Sequence, residues 1–205
     1  MCGIIGSFSK DKIVELSALN SERGNKAFSL SVISGDIAIR RVIGKFNPAI
    51  LNDVEDDAYY ILHIQSPTKL INLSTDTIHP SKIVDNYLWH NGMILENDLA
   101  EKKQKLKSTS NWDTELINLG IIQHGWSFLD TIEGSFACVS YSDYNIHIFR
   151  NQIVPLHIDN ELNISSAPFK GGSLIEYNKI FYLDLINRTV EEIQKFNNTH
   201  NPYLF

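Results

Sequence analysis

The sequence predicts a mixed α+β domain in which antiparallel sheets are covered by helices on their outer faces. Its apolar, β-branched segments come in runs, with helical segments between the runs, and this order favours antiparallel pairing over alternating βαβ units. Many of these segments are apolar at consecutive positions, which is typical of strands buried on both faces. Hydrophobic residues make up 43% of the 205 residues, enough to fill such a core.

The strand candidates are bounded by polar, Gly- or Pro-containing segments. In chain order they are Gly3–Ser9, Phe28–Ser34, Asp36–Arg41, Ala58–Ile64, Asn86–Trp89, Phe136–Ser140, Asn145–Phe149, Leu156–Ile158 and Lys179–Leu183. The short separation between Phe136–Ser140 and Asn145–Phe149 predicts a hairpin.

Helices are predicted over Asp11–Ser21, Leu95–Leu106 and Asp113–His124. The last has acidic residues in its first turn, where carboxylates interact favourably with the helix dipole. The segment from residue 191 to residue 205 is polar and rich in Asn, so we expect a short helix end and a loose terminus. The predicted organisation is one domain over residues 1–190 and a C-terminal tail over residues 191–205.

Composition excludes several classes of protein. The chain has 18 Lys+Arg and 24 Asp+Glu, a net charge of −6, whereas nucleic-acid binding requires a basic surface. No apolar run reaches the roughly 18 residues of a membrane span. The N-terminus lacks the basic and apolar regions of a secretory signal. We therefore expect a cytoplasmic protein that binds neither nucleic acid nor membrane and keeps its two cysteines, Cys2 and Cys138, reduced.

Cys2 directly follows the initiator methionine, and a small second residue favours removal of that methionine. Removal would place a free α-amine, with an ordinary pKa of about 8, beside the thiol. This pairing of base and nucleophile is the arrangement found in N-terminal-nucleophile enzymes. In the alternative interpretation, Cys2 is a small hydrophobic residue that begins a buried strand. Cys138 is expected to be a buried strand thiol.

Several short motifs follow in a particular order, although each alone has low specificity. They are Arg23-Gly24, the segment from His63 to Thr68, His79-Pro80, His90-Asn91-Gly92, Asp113-Thr114-Glu115 and the segment from Glu133 to Ala137. Together with the initial Met-Cys-Gly-Ile, their order and spacing resemble the class II glutamine amidotransferase domain, of the N-terminal-nucleophile (Ntn) hydrolase type. The resemblance extends from Cys2 to about Leu185.

The resemblance implies a four-layer α/β/β/α sandwich of two antiparallel sheets. It also implies hydrolysis of the glutamine side-chain amide through a thioester on the N-terminal cysteine. Related domains begin glucosamine-6-phosphate synthase, asparagine synthase B and the amidophosphoribosyl transferase of purine synthesis. The sequence has no nucleotide-binding glycine loop and no zinc-ligand spacing, so we expect neither a cofactor nor a metal.

The resemblance also assigns roles to particular residues. Cys2 is similar to the nucleophile, and Asn91 and Gly92 match the oxyanion hole. Arg23 matches an arginine beside the nucleophile, and Asp113 matches the carboxylate that binds the α-ammonium of glutamine. Each assignment has an alternative: a hairpin turn for Asn91-Gly92, an ordinary surface arginine for Arg23, and a helix N-terminal carboxylate for Asp113.

The sequence departs from the family pattern at one substrate-binding position. The family segment His-x-Arg-x-x-Thr supplies an arginine for the α-carboxylate of glutamine, but this chain has Gln65 there and keeps only Thr68. An uncharged amide does not replace a bidentate guanidinium. Three hypotheses follow: glutamine binds weakly or through another cation such as Lys69 or Arg40; the substrate is an amide without a free α-carboxylate; or the domain is inactive and binds an amino acid or regulates a partner.

The length leaves no room for the synthase domain that family enzymes attach to this one. We therefore expect a stand-alone glutaminase domain that supplies ammonia to a synthase in trans. The alternative is an amidase that acts alone on another γ-glutamyl or amide substrate.

Overall fold

The computed structural model describes residues 2–66 and 74–199. In these ranges two antiparallel sheets stack face to face, and helices cover both outer faces. This α/β/β/α arrangement confirms the predicted fold class.

The first sheet contains seven strands in the described part of the chain. In spatial order they are β11 (Ser173–Leu174), β9 (His157–Ile158), β10 (Ile164–Ser165), β1 (Gly3–Ser7), β4 (Tyr59–Gln65), β2 (Ala27–Ser34) and β3 (Asp36–Ile43). Because β1 pairs with both β4 and β10, the start of the chain is held in the interior of the sheet.

The second sheet contains six strands within the described ranges. In spatial order they are β13 (Thr189–Lys195), β12 (Lys179–Asp184), β8 (Asn145–Arg150), β7 (Gly134–Ser142), β6 (Asn86–Ile94) and β5 (Ser81–Ile83). The predicted β7–β8 hairpin is confirmed, and its two turn residues, Asp143 and Tyr144, both have positive φ, as tight hairpin turns require.

The predicted helices are present as α1 (Lys10–Leu19), α2 (Glu96–Lys105) and α3 (Asp113–His124). The Ser9 side chain caps α1 by accepting a hydrogen bond from the Lys12 N–H at 3.2 Å. Short 3-10 helices lie at Ser21–Arg23, Pro48–Asp53, Thr75–Thr77 and Trp126–Thr131. Among the described helices, none has both the length and the apolar character that crossing a bilayer requires.

Three apolar clusters join the layers. The central one lies between the sheets and includes the fully buried Ile4, Ile61 and Trp89. A second packs α1 against the first sheet, and a third packs α3 against the second sheet around Cys138. Cys138 is fully buried in β7, which confirms it as a strand thiol. Since burying one large apolar side chain contributes about 1.5–3 kcal/mol, the central cluster fixes the two sheets relative to each other.

The expectation of a helix end beyond residue 190 was wrong. Thr189–Lys195 forms β13, an edge strand antiparallel to β12, so the second sheet continues past residue 190. Every residue of β13 is exposed, and its pairing with β12 is interrupted by a bulge at Ile180/Phe181. A strand with solvent on both faces has no apolar alternation, which explains why the sequence pattern did not identify it.

Candidate active site

Cys2 immediately precedes β1 and lies beside the end of β4. The β1–β4 register pairs Gly3 with Ile64, which brings Cys2 next to Gln65 and Ser66. The Ser66 N–H donates a hydrogen bond to the Cys2 thiol. Burial raises the pKa of this thiol above its ordinary value; the Ser66 hydrogen bond lowers the pKa, and the Asp113 carboxylate raises it. A thiol in this environment needs a nearby base to react at neutral pH.

Asn91 belongs to the second sheet but is tied to the first. Its side-chain Nδ2 donates to the Ser166 hydroxyl oxygen at 3.3 Å, and that oxygen also accepts a hydrogen bond of 3.0 Å from the Ile4 N–H. Asn91 and Ser166 are both buried. One hydroxyl therefore holds the Asn91 side chain against β1, two residues beyond Cys2.

Gly92 occupies a position that excludes side chains. Its φ of +148° is one that other residues rarely adopt, and a Cβ there would overlap the carbonyl oxygen of Ser135. Asn91 and Gly92 lie inside β6, opposite Ala137 and Phe136 of β7. The alternative interpretation of Asn91-Gly92 as a hairpin turn is therefore wrong.

Asp113 is the first residue of α3, so it is the helix N-terminal carboxylate that the alternative describes. Its Oδ1 accepts a hydrogen bond of 2.8 Å from the Thr114 N–H, and it lies 3.8 Å from His90 Nδ1. The side chain retains 24% of its exposure. Because its charge also raises the pKa of Cys2, the carboxylate is within electrostatic range of the thiol. The hydrogen bond from Thr114 leaves carboxylate lone pairs available for a ligand ammonium.

Gln65 is buried, and both ends of its amide bind the protein itself. Its Nε2 donates to the Thr77 carbonyl at 3.0 Å, and its Oε1 lies 3.1 Å from His79 Nδ1. Since an amide oxygen only accepts, His79 carries its proton on Nδ1. His79 Nε2 then accepts from the Thr114 hydroxyl, at 2.9 Å. Gln65 is thus linked to the first turn of α3 and is not free to contact a ligand.

Two buried histidines stack beside Gln65. The rings of His63 and His79 are 3.9 Å apart, centre to centre. Burial lowers the pKa of His63 to about 3 and lowers the pKa of His79 well below its ordinary range. His63 Nε2 donates to the His90 carbonyl at 3.1 Å. Both rings are neutral at physiological pH and serve as hydrogen-bonding links between the sheets and α3.

Arg23 lies at the same end of β4, because Gly24 packs directly against the backbone of Ile64 and Gln65. The guanidinium is half-buried, and burial lowers its pKa. Its charge acts on His157, whose pKa is lowered mainly by burial and further by nearby arginines that include Arg23.

The other proposed substrate-binding residues divide into two groups. Thr68 and Lys69 lie outside the described residues. Arg40 is exposed on the edge strand β3, where it binds the carbonyl of Asp53 at 3.0 Å. The idea that Arg40 replaces the missing cation is therefore wrong, since its guanidinium is held on the outer face of the first sheet.

The structure brings Cys2, Gln65, Asn91 and Asp113 to one end of the sandwich, although they come from four different segments. Sequence reasoning assigned no role to Ser66, Ser166 or Thr114, which connect these groups. Ser66 and Thr114 lie within the motifs that carry the resemblance and Ser166 lies outside them, but only folding shows which groups all three bind. Within residues 2–66 and 74–199, no three His, Cys, Asp or Glu side chains are grouped to hold a metal ion.

Comparison with known proteins finds similarity at the level of structure. No family model matches the sequence, and no curated protein matches it. The glutamine phosphoribosylpyrophosphate amidotransferase from B. subtilis, solved with ADP and GMP, superposes with a TM-score of 0.68 at 14% identity over 94% of this chain. A structure described as the allosteric regulatory enzyme of purine biosynthesis gives a TM-score of 0.69, also at 14% identity over 94% of this chain.

This chain spans about half the length of both solved proteins, 49% in each case. At such low identity the similarity establishes the fold alone. The chain has the two-sheet sandwich fold of the Ntn glutamine amidotransferases.

Proposed function

We propose that the protein is an amide hydrolase of the glutamine amidotransferase type, with Cys2 as its nucleophile. The observation that supports this most directly is the bridge through Ser166, which holds Asn91 of one sheet against the strand that begins at Cys2 of the other. A nucleophile and an amide donor are thereby held at the same end of the sandwich, on strands fixed by the central core. The fold shared with glutamine amidotransferases supports the same chemistry.

The proposed reaction begins with removal of Met1. The α-amine of Cys2 accepts the thiol proton, and Sγ attacks the side-chain carbonyl carbon of the substrate. The C–N bond breaks, the amine returns the proton to the departing nitrogen, and ammonia leaves. A thioester remains on Cys2, and water then hydrolyses it to the carboxylic acid and the free thiol. The raised pKa of the buried thiol explains why an adjacent base is needed.

Asn91 and Gly92 supply the proposed oxyanion hole. One Asn91 N–H is engaged with Ser166, and the amide nitrogen has a second N–H for the developing oxyanion. Gly92 is proposed to present its backbone N–H to the same oxyanion. Loss of one such donor typically raises the barrier by about 2.7–4 kcal/mol.

Asp113 is the proposed ligand for the substrate ammonium, and Arg23 is proposed to favour the anionic states formed near Cys2. A charge-assisted hydrogen bond to Asp113 would contribute about 1.5–3 kcal/mol.

We further propose that the protein works in the cytoplasm and that its ammonia serves a synthase in trans. Two results together would contradict the role in trans. They are full-rate release of free ammonia by the isolated protein and the recovery of no partner protein in affinity purification.

The test is a coupled assay of ammonia and product acid with the wild-type protein and with Cys2→Ala. We expect ammonia and acid in equal amounts from the wild type and none above background from Cys2→Ala. Cys138→Ala is the matched control, because it removes the other thiol, which is buried in β7. Equal ammonia release by wild type and Cys2→Ala would overturn the proposal.

A further inference from the structure

We propose that the two sheets enclose a binding site for water, lined by Ser29, Ser31 and His63. This site goes beyond the function proposed for Cys2 and does not depend on it. Three observations carry the inference: buried polar atoms without a hydrogen-bond partner, their placement side by side in the first sheet, and short side chains that leave room beside them.

Three side chains on the inner face of the first sheet each bury an unpaired polar atom. These atoms are Ser29 Oγ, Ser31 Oγ and His63 Nδ1, and none of them has a hydrogen-bond partner among the described residues. All three residues are 0% exposed, so bulk solvent does not reach these atoms. A buried polar atom without a partner is costly. A bound water molecule removes that cost, because in a buried polar site it makes about three hydrogen bonds.

The strand register places these side chains next to one another. Phe28 and Leu30 of β2 pack towards α1, so the alternating residues Ser29 and Ser31 face the second sheet. Ser29 is paired directly with His63 of β4. Directly paired residues of antiparallel strands have Cβ atoms about 4.5–5.5 Å apart. No direct hydrogen bond joins these two side chains, and one water molecule can bridge them with two hydrogen bonds of about 2.8 Å.

His63 needs a hydrogen-bond donor at its unpaired nitrogen. Its Nε2 lies 3.1 Å from the His90 carbonyl, which only accepts, so Nε2 carries the proton and Nδ1 carries a lone pair. A water O–H is a donor that can reach this nitrogen. Water bound there completes the hydrogen bonding of His63 and keeps its Nε2 N–H directed at His90, which immediately precedes Asn91 and Gly92.

Short side chains on β2 leave space between the sheets. Ala27, Ser29 and Ser31 occupy three successive inward positions, and all are buried. Packed sheets lie about 10 Å apart, and these side chains fill less of that distance than larger ones would. On β6 of the second sheet, Trp89 is also fully buried, and its indole N–H lacks a partner among the described residues. The unpaired groups therefore include both donors and acceptors, as a bound water requires.

The first test is the sign of a change in stability. Ser29→Ala and Ser31→Ala each remove one hydroxyl. Removing an unpaired hydroxyl from a dry core stabilises a protein, whereas removing one that binds water destabilises it. We expect the urea concentration at the midpoint of unfolding to fall in both variants. A midpoint that is unchanged or raised in either variant would overturn the inference.

A matched pair of variants separates the hydroxyl from the volume of the side chain. Threonine and valine have nearly the same shape and both favour strands, so Ser31→Thr and Ser31→Val differ mainly in the hydroxyl. We expect the threonine variant to unfold at the higher urea concentration, because it keeps the group that binds water. The comparison holds even if the added bulk destabilises both variants. An equal or higher midpoint for Ser31→Val would contradict the site.

A crystal structure of the wild-type protein locates the ligand directly. We expect an ordered water molecule within about 3.2 Å of at least two of the atoms Ser29 Oγ, Ser31 Oγ and His63 Nδ1. Its contact with residue 31 should be lost in Ser31→Val. Absence of solvent density beside these atoms in the wild type would overturn the inference and leave the function proposed for Cys2 unaffected.

Discussion

Asn91 and Ser166 are joined by a hydrogen bond of 3.3 Å that links the two sheets of the sandwich. Ser166 Oγ also accepts from the Ile4 N–H, and the Ser166 N–H donates back to the Ile4 carbonyl at 3.0 Å. The side chain proposed to stabilise the oxyanion is therefore positioned by the strand that presents the proposed nucleophile. Any shift of β1 relative to β6 would move both groups.

Ser166→Ala should reduce activity more than it reduces stability. The change removes the acceptor for the Ile4 N–H and releases the Asn91 side chain, so kcat should fall about tenfold or more while KM changes little. Loss of the buried hydrogen bonds should lower the free energy of unfolding by about 1–3 kcal/mol. Steady-state ammonia release and urea denaturation measure the two effects.

Ser165→Ala is the matched control for this variant. Ser165 is equally buried, but its hydroxyl accepts from the Asn20 side chain at 2.8 Å and the Ala167 N–H at 3.1 Å. It should lose comparable stability and keep kcat. Equal losses of kcat in both variants would show that Asn91 positioning does not depend on Ser166.

Gly92→Ala should be among the most damaging single changes in the chain. It combines a backbone conformation unfavourable for alanine with overlap of the new Cβ and the Ser135 carbonyl oxygen. We expect a loss of at least about 3 kcal/mol in the free energy of unfolding, together with loss of activity. Gly35→Ala provides the comparison, because Gly35 also has positive φ but has open space around it. Gly35→Ala should lower the free energy of unfolding by only about 1–3 kcal/mol, the cost of backbone strain alone. Similar losses for both variants would be inconsistent with the close approach at Gly92.

Asp113→Asn should weaken substrate binding while preserving the hydrogen bond in the first turn of α3, because asparagine retains an oxygen that accepts from the Thr114 N–H. We expect KM to rise about tenfold to a hundredfold with a smaller change in kcat. The Asp113 charge contributes to the raised pKa of Cys2, so its removal should also shift thiol alkylation to lower pH. Glu115→Gln, a change in the same first helical turn, should alter neither property. An unchanged KM in Asp113→Asn would exclude Asp113 as the ammonium ligand.

The buried histidines predict a loss of stability in mild acid. Folded His63 has a pKa of about 3, against about 6.5 in an unfolded chain, and His79 is lowered in the same direction. The unfolded chain therefore binds more protons below about pH 6.5. The stabilisation is complete above that pH and is lost as the pH falls towards 3. Each histidine should contribute a slope of about 1.4 kcal/mol per pH unit.

Urea denaturation between pH 7.5 and 4.5 measures this slope, and His63→Gln should reduce it. If the free energy of unfolding stays constant over this pH range, the pKa values of the two rings are not lowered in the folded protein. The slope retained in His63→Gln should report His79 together with His147 and His157, whose pKa values burial also lowers.

The sequence predicted the strands of the core well because burial on both faces leaves a strong apolar signal. The segments Ala58–Ile64 and Phe136–Ser140, for example, correspond to the buried centres of β4 and β7. The signal was absent where strands are short or exposed. It did not reveal β13, whose residues are all exposed, or the two-residue strand β11. Such strands form because a neighbouring strand presents unpaired backbone N–H and C=O groups. The sequence of the strand itself does not show that such a neighbour is present.

The candidate site was predictable where the chemistry lies in contiguous motifs. Cys2, Asn91 and Asp113 could be singled out by their order along the chain, and folding brings their segments together. Their neighbours could not be identified in this way. The bond between Gln65 and His79 and the bond between Asn91 and Ser166 join residues far apart in sequence. The sequence showed only that Gln65 lacks the charge of the expected arginine. Its hydrogen bonds to His79 and Thr77 could be identified only in the folded structure.

The most direct test of the central claim is intact-protein mass spectrometry after treatment with a diazo-ketone analogue of glutamine. Both the free acid and the α-N-methylamide of the reagent should be used. We predict that the purified chain lacks Met1 and gains a single adduct, which peptide mapping places on Cys2 and which Cys2→Ala abolishes. A chain that retains Met1 and remains unlabelled by either reagent, or that is labelled equally in Cys2→Ala, would contradict the assignment of Cys2 as an N-terminal nucleophile.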